Sequence, residues 1–346
     1  MRVKLGDVCE RGTSNLKLSD VSEKNGEFSV FGASGYIGSV DFYQQGYPYV
    51  AVVKDGAGIG RAMLCPGKTS VIGTMQYLLP KDNILPKYLF YVVKYMNLEK
   101  YFTGATIPHI YFKDYKNEEF NFDFWERQVE IVSVLSKCEK VIDLCKQELQ
   151  LLDKLIKARF VEMFGDVIHN SKKWQVCLFA EITSSRLGKM LDAKQQTGRN
   201  SYPYLANFNV QWFRFNLENL NKMDFDEKDR AEFELREGDL LVCEGGEIGR
   251  CAVWHNELQP CFFQKALHRV RCNHQIILPD YLAWWFRYNC DYGGFSALAG
   301  AKATIAHLPG AKLKQLQVAV PPMELQEQFA VFVAQTDKSK FVGMIE

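Results

Sequence analysis

The sequence predicts a mixed α/β (α+β) chain of two similar units separated by long coiled-coil helices in a pseudo-two-fold arrangement. Three observations predict it. Phrases recur in order about 190 residues apart: "DGAGIGRAMLC" (Asp55 to Cys65) returns as "EGGEIGRCAVW" (Glu244 to Trp254), "LPKYLFYVVK" (Leu85 to Lys94) as "LPDYLAWWFR" (Leu278 to Arg287), and "ATIPHI" (Ala105 to Ile110) as "ATIAHL" (Ala303 to Leu308). Between the copies, Glu126 to Phe164 contains neither Pro nor Gly and carries a seven-residue apolar repeat. Within each copy, apolar β-rich runs bounded by Gly and Pro alternate with helical spacing. At 346 residues the chain exceeds what one core usually serves, and two units of roughly 120 to 150 residues suit the size of ordinary domains.

The first unit, residues 1–124, has β-rich segments at "PYVAVV" (Pro48 to Val53) and "SVIGTMQYLL" (Ser70 to Leu79), then helical spacing over "PKYLFYVVKYMNLEKYF" (Pro86 to Phe102). Pro86 suits a helix first turn, where its missing N–H costs nothing. Residues 125–168 form the spacer. Leu135, Ile142, Leu149, Ile156 and Met163 share one heptad position, with Cys138, Cys145 and Leu152 three residues on. A 3.5-residue period held this long demands a partner helix, and the rod would be roughly 58 Å long. Its opposite charges interleave and cancel, which suits a structural rod better than a DNA-binding helix.

The second unit, residues 169–320, repeats the order, with "DLLVCEGG" (Asp239 to Gly246) as a strand entering a Gly turn and "PDYLAWWFRYN" (Pro279 to Asn289) as the matching helix. Duplication then predicts a second rod over 321–346. The seam positions equivalent to Leu135, Ile142 and Cys145 are Val333, Lys340 and Gly343, so a short helix of two to three turns with a frayed tail is expected. Antiparallel packing of the two rods would relate the units by an approximate two-fold axis.

The offset between matched landmarks grows from 173 (Leu5 with Leu178) to 189 (Ile59 with Ile248) and 198 (Thr106 with Thr304, Glu126 with Glu324). Most of the added residues therefore fall between Lys189 and Phe233. A kept framework with a rewritten segment is the pattern of a scaffold whose ligand-touching loops differ.

Several chemistries are disfavoured. The ten cysteines are scattered with no Cys-x-x-Cys pair and read as small buried thiols in a reducing compartment, not as a metal site. Neither a secretory leader nor a membrane-length apolar run is present, so a soluble, cytoplasmic chain without membrane contact is expected. "FSVFGASGYIGS" (Phe28 to Ser39) imitates a dinucleotide fingerprint through Gly32, Gly35 and Gly38, and a nicotinamide-dependent oxidoreductase built on it is one rival reading. The following "VDFYQQGYPYV" runs back towards a strand instead of opening a helix, which favours a glycine-bearing hairpin. "GAGIGR" and "GGEIGR" lack the Gly-Lys-Ser/Thr ending of a phosphate loop. With no methyl-donor or nuclease motif either, an active site is not expected, nor a cofactor.

What remains is binding chemistry. Asn and Gln pair with adenine and Arg or Lys with guanine in the major groove, while Arg and Lys also hold phosphates. "YLANFNVQWFRFNLENLN" (Tyr204 to Asn221) supplies Asn207, Asn209, Gln211 and Arg214, with a polar surface loop as the open alternative. Arg61 and Arg250 each follow Ile-Gly and either clamp phosphate or pair with a carboxylate. Thr74 with Gln76, and Gln264 with Lys265, interrupt apolar strands at comparable places. His109 and His307 share the Thr-Ile-x-His context, where a structural role is the competing reading. Lys54, Thr106, Lys189, Arg199, Lys302 and Thr304 complete the candidate set. The formal net charge of +1 is low for a nucleic-acid binder, so its positive residues must concentrate on one face or a partner must supply more.

Taken together, "LGDVCERG…FSVFGASGYIGSVDFY…DGAGIGR" (Leu5 to Arg61), "YPYLANFNVQW…FELREGDLLVCEGGEIGRCAVW" (Tyr202 to Trp254) and the helix openings "FDFWERQVEIVSVL" and "VPPMELQEQFAVFV" resemble the specificity subunit of type I restriction-modification systems. The resemblance implies a non-catalytic subunit whose two target-recognition domains each read one half of an interrupted, asymmetric site in double-stranded DNA, with the helices setting the gap. It implies two methylation subunits as partners, which carry S-adenosylmethionine, and restriction subunits bound through them. A duplicated protein-protein adaptor is the other rival.

Overall fold

Tyr49–Val53 is buried at every position, as an apolar run with no alternation requires, and it forms the middle of a four-stranded sheet. Ala62–Cys65 and Met75–Pro80 flank it antiparallel, and Cys9–Thr13 pairs outside Met75–Pro80. A second sheet sets Phe28–Gly32 between antiparallel Gly35–Val40 and parallel Ser70–Val71. The computed structural model describes residues 1–22, 26–104, 108–192, 196–296 and 307–345. The chain divides into two units, Met1–Leu144 and Cys145–Glu346. Four helices among the described residues exceed ten residues: α1 (Pro86–Met96), α2 (Trp125–Phe164), α3 (Pro279–Asp291) and α4 (Met323–Ile345).

In unit 1, α1 starts with Pro86 in its first turn, stops at Asn97 in the left-handed region (φ 49°), and buries Tyr88, Leu89 and Val93 in one core with Val50, Val52 and Leu78. Arg2–Lys4 pairs antiparallel with Glu119–Asn121, so the first and last strands of the unit are neighbours.

Unit 2 repeats this plan. Thr183–Leu187, Leu267–Cys272, Leu240–Cys243 and Cys251–Val253 form its four-stranded sheet in that order, and Asn221–Asp224, Ser201–Leu205 and Phe262–Phe263 the three-stranded one. Gln175–Leu178 pairs with Gln317–Val320. Even single backbone bonds recur. Ile110 N–H donates to the Lys54 carbonyl (2.9 Å) as Leu308 N–H does to that of Glu244 (2.7 Å), and Lys54 and Glu244 donate at 3.0 Å to the carbonyls of Thr74 and Ala266. The rewritten segment folds as a 3-10 turn (Asn207–Asn209), a small hairpin (Val210–Gln211 with Arg214–Phe215) and a helix (Glu227–Phe233).

Two alignments shift. The capped turn Leu5–Val8 corresponds to Phe179–Ile182, so the buried Leu5 matches Phe179 and not the exposed Leu178. Gln76 lies opposite Val52 where His268 lies opposite Val242, so Gln264 is not its counterpart. The glycine run of residues 28–39 is the hairpin expected. Gly38 sits at φ 149°, and a Cβ there would stand 2.7 Å from Val21 Cγ1. No helix follows Gly35–Val40, so the strand-to-helix turn that a dinucleotide needs is missing.

The helix α2 runs for 40 residues, about 60 Å. Its C-terminal part is seated in unit 2: Phe160, 1% exposed, meets Phe164, Tyr281, Trp284, Tyr288 and Phe329 at centroid distances of 5.0 to 6.4 Å. Here α4 packs antiparallel to it, with Arg159 over the Phe332 ring and Lys340 Nζ 2.8 Å from Asp153. The expectation of a two-to-three-turn second rod is corrected. It spans 23 residues, about six turns, because Lys340 on the seam is neutralised by Asp153 and Asp337. Further towards the N-terminus of α2 the seam is bare among the described residues, with Leu135 37% and Ile142 52% exposed.

Candidate nucleic-acid interface

In both units the buried central strand runs into a Gly-rich turn, and the candidate side chains gather on that rim. The turn needs its glycines: at Gly60 (φ 78°) a Cβ would stand 2.4 Å from Glu99 N, and at Gly249 (φ 78°) 2.9 Å from the Phe295 ring. In unit 1, Lys54 and Asp55 leave the strand and both donate their N–H groups to the carbonyl of the exposed Thr74. His109 joins them across the bridge to Asp55, its Nδ1 2.7 Å from Asp55 Oδ1. Arg61 folds back over Gly58 and donates from Nη1 to the Ala33 carbonyl (3.3 Å), tying the rim to the glycine hairpin while staying exposed.

Unit 2 assembles its rim the same way from other side chains. Arg250 Nη2 donates to the Asn207 carbonyl (3.0 Å) and Oδ1 (3.2 Å), and Asn207 Nδ2 donates to the Gly245 carbonyl (3.0 Å). Arg250 is therefore first a brace for the 3-10 turn, as Arg61 is for the hairpin, and Glu247 stands 3.9 Å away. His307 is exposed beside Gly245. Lys189 and Gln264 bridge, and Lys265 N–H donates to the Lys189 carbonyl (2.9 Å). Lys189 Nζ is held by Asp229 and by the Asp224 carbonyl (2.7 Å). Gln211 donates to the Phe208 carbonyl (3.0 Å), whereas Arg199 and Arg214 are exposed.

Two candidates are corrected. Gln76 is 2% exposed and donates to the Tyr115 hydroxyl, so it faces the core and cannot meet a base edge. Asn209 is fully buried: Oδ1 accepts from Ala206 N–H and Nδ2 donates to the Asn216 carbonyl, both at 2.9 Å. It closes its own turn, a habit of short amide side chains. Thr106, Lys302 and Thr304 lie outside the described residues.

Beside the unit 2 rim an open cleft of about 850 Å³ is lined by Arg186, Lys189, Lys228, Lys265 and Lys314, with Asp226, Asp229 and Glu232. Arg186 pairs with Glu232 and Lys189 with Asp229, leaving the Lys228, Lys265 and Lys314 ammonium groups without a partner among the described residues. Sequence reasoning missed Lys228 and Lys314, since in "DEKDR" and "AKLK" they look like ordinary solvated charges. It also passed over Asp55, although the repeated phrase begins there.

The cleft wall contains His268, 2% exposed, whose Nε2–H donates to the Leu308 carbonyl (3.0 Å) at the end of the repeated loop. Burial holds its pKa below the ordinary 6.5, against the opposing pull of the Leu308 carbonyl and Glu244. The folded unit thus contains the neutral ring. Its contribution is intact above the unfolded pKa and declines as pH falls through it, because the unfolded chain takes up a proton that the folded one resists. Unit 2 is expected to soften below about pH 6.5. His268→Gln, the residue unit 1 carries at that place, should flatten the dependence in thermal melts followed by tryptophan fluorescence. An unchanged pH slope would refute this.

Among the described residues there is no cluster of metal-ligating side chains, and no helix is long and apolar enough to cross a membrane. A family profile described as the type I restriction modification DNA specificity domain matches twice, over residues 1–154 and 171–341. Two curated relatives come from Methanocaldococcus jannaschii. The putative type I restriction enzyme MjaX specificity subunit is 24% identical over 151 residues, 42% of this chain and 36% of the relative. The type I restriction enzyme MjaIX specificity subunit is 28% identical over 93 residues, 26% and 22% of the respective lengths. The matches thus span about a third or less of these curated relatives. Among solved structures, the S subunit of a type I restriction-modification system from M. genitalium superposes with a TM-score of 0.63 at 15% identity, covering 99% of this chain and 91% of that one. A chain from a structure on complex assembly and conformational transition of the type I R-M system gives 0.53 at 14% identity, with 99% and 91% covered. At these identities the likeness concerns the fold.

Proposed function

The chain belongs to the type I restriction-modification DNA specificity family, and from that premise we propose that it is the non-catalytic, sequence-specific DNA-binding part of such a complex. Each unit reads one half of a bipartite, asymmetric site in double-stranded DNA, and α2 with α4 sets the gap. Two methylation subunits dock on it and supply S-adenosylmethionine, and restriction subunits join through them. Sharing phosphate contacts with these partners accounts for a net charge of only +1.

One observation carries the reading. The same rim occurs twice on corresponding backbone hydrogen bonds, but Lys54, Asp55 and Thr74 in unit 1 are replaced by Glu244, Gly245 and Ala266 in unit 2. A kept scaffold bearing unlike side chains suits a ligand whose two halves differ. Methylome sequencing of cells expressing the chain with its methylation subunit should reveal a two-part asymmetric adenine motif. A tight partner complex that yields no motif would favour the adaptor reading instead.

The unpaired lysines of the unit 2 cleft are assigned to phosphates. Replacing Lys228, Lys265 and Lys314 together by Ala is expected to weaken binding to all duplexes alike and to reduce the slope of log K against log salt by about 2 to 3. An unaltered slope would remove the cleft from the interface.

A further inference from the structure

The two rims part company at one position where their backbones agree. Asp55 and Gly245 each form the isolated bridge to the histidine of the repeated phrase, His109 and His307 respectively. In unit 1 the carboxylate faces the ring, Oδ1 to Nδ1, at 2.7 Å. In unit 2 no carboxylate exists there, and a Cβ placed on Gly245 would stand 3.2 Å from the His307 ring, which lies against bare backbone.

A carboxylate can only accept, so His109 Nδ1 carries the hydrogen and Nε2 of the neutral ring is left as an acceptor. The rest of the neighbourhood immobilises the ring. His109 and Thr103 exchange backbone N–H···O bonds of 2.8 and 2.9 Å, and the imidazole stacks on Tyr111 at 6.3 Å with 20° between planes. Asp55 is held in turn by its N–H on the Thr74 carbonyl (3.2 Å) and by Lys54 Nζ at 3.7 Å. Despite these restraints the His109 side chain stays 36% exposed, and Nε2 has no partner among the described residues.

A rigid, exposed acceptor is suited to recognising a donor. In the major groove the donors on base edges are the exocyclic amino groups of adenine and cytosine. Building on the DNA-reading role proposed above, we infer that Asp55 is a positioning residue that orients His109 so that Nε2 accepts a hydrogen bond from the exocyclic amino group of one base in the half-site read by unit 1. Unit 2 does not use this device, having Gly245 where the carboxylate would stand.

The test uses the full chain with its methylation subunit and duplexes in which each adenine or cytosine of the first half-site, and of the second as a control, is exchanged in turn for an analogue lacking the amino group. The adenine and cytosine series distinguish which base is read. Wild type should lose about tenfold in affinity at one position. His109→Ala should lose a similar amount on the natural duplex and become insensitive to the analogue there. Asp55→Asn can donate to Nδ1 and turn Nε2 into a donor, so it should shift preference at that position away from amino-bearing bases. Unchanged discrimination in the second half-site reports that the variants fold. If His109→Ala keeps the full penalty at every first-half position, the inference is overturned while the DNA-reading role stands. If wild type loses nothing at any first-half position but still prefers its natural duplex over one of unrelated sequence, only the inference falls; if it shows no such preference, both fall.

Discussion

Gln128→Ala is expected to lower the stability of unit 1 by roughly 3 kcal/mol, out of proportion to a residue that looks like one polar position on a charged helix. Gln128 is fully buried. Its Oε1 accepts from Leu85 N–H (2.9 Å), just before α1, and its Nε2 donates to the carbonyls of Asn83 (3.0 Å) and Asp123 (2.9 Å). Truncation leaves three part-buried backbone groups without their side-chain partner, and each such orphan costs about 1 to 3 kcal/mol where water cannot replace it. Gln326 does the same in unit 2, accepting from Leu278 N–H (2.8 Å) and donating to the carbonyls of Ile276 (3.0 Å) and Pro321 (2.8 Å), so Gln326→Ala should match it. Since a two-unit chain need not unfold in one step, native-state hydrogen exchange at the Leu85 and Leu278 amides is the appropriate measure. Protection unchanged at the affected amide would contradict the assignment. Replacing the exposed Arg127, the residue just before Gln128, should leave both amides as they were.

Phe160→Ala is expected to cost about 3 to 5 kcal/mol, the range for an aromatic removed from a packed core. Five rings converge on it, and they join three helices, since Tyr281, Trp284 and Tyr288 lie on α3 and Phe329 on α4. Loss of the ring therefore frees the end of α2 from its seat in unit 2. On the function proposed above, the motif methylated by this variant should tolerate more than one gap length while each half keeps its bases. A variant of wild-type stability, or a motif with an unchanged single gap, would show that the ring cluster does not fix the rod. Ile142→Ala, at a seam position still half exposed, should have little effect on stability.

These two residues also mark where reading the sequence stopped short. The repeated phrases located both units and their helices, because apolar periodicity and Pro–Gly punctuation act locally. Glu-x-Gln stands at both helix starts, as Glu126 to Gln128 and Glu324 to Gln326, yet nothing in one dimension shows that its glutamine turns inward to serve a neighbouring helix. The inward direction of Gln76 is illegible for a related reason. Met75, Gln76, Tyr77 and Leu78 are all buried, so the in–out alternation that would reveal its direction is absent. Leu5 aligns equally well with Leu178 or Phe179, because two consecutive apolar residues leave a one-residue slip undetected. The length of α4 is illegible because Lys340 interrupts the apolar seam in sequence, while the Asp153 that meets it is distant along the chain. The rim was half legible. Residues on the Gly-rich turn could be picked out, whereas the partners that brace or bury them come from segments the fold brings together.

Lys4 lies opposite Glu119, and Leu178 opposite Gln317, so the polypeptide comes into and departs from each module at adjacent points. Everything between those two points could be exchanged for a foreign sequence by a pair of splices without moving either anchorage. Such a module is a ready-made cassette, and a chain built from two of them could acquire a new target by grafting one while the other keeps its own.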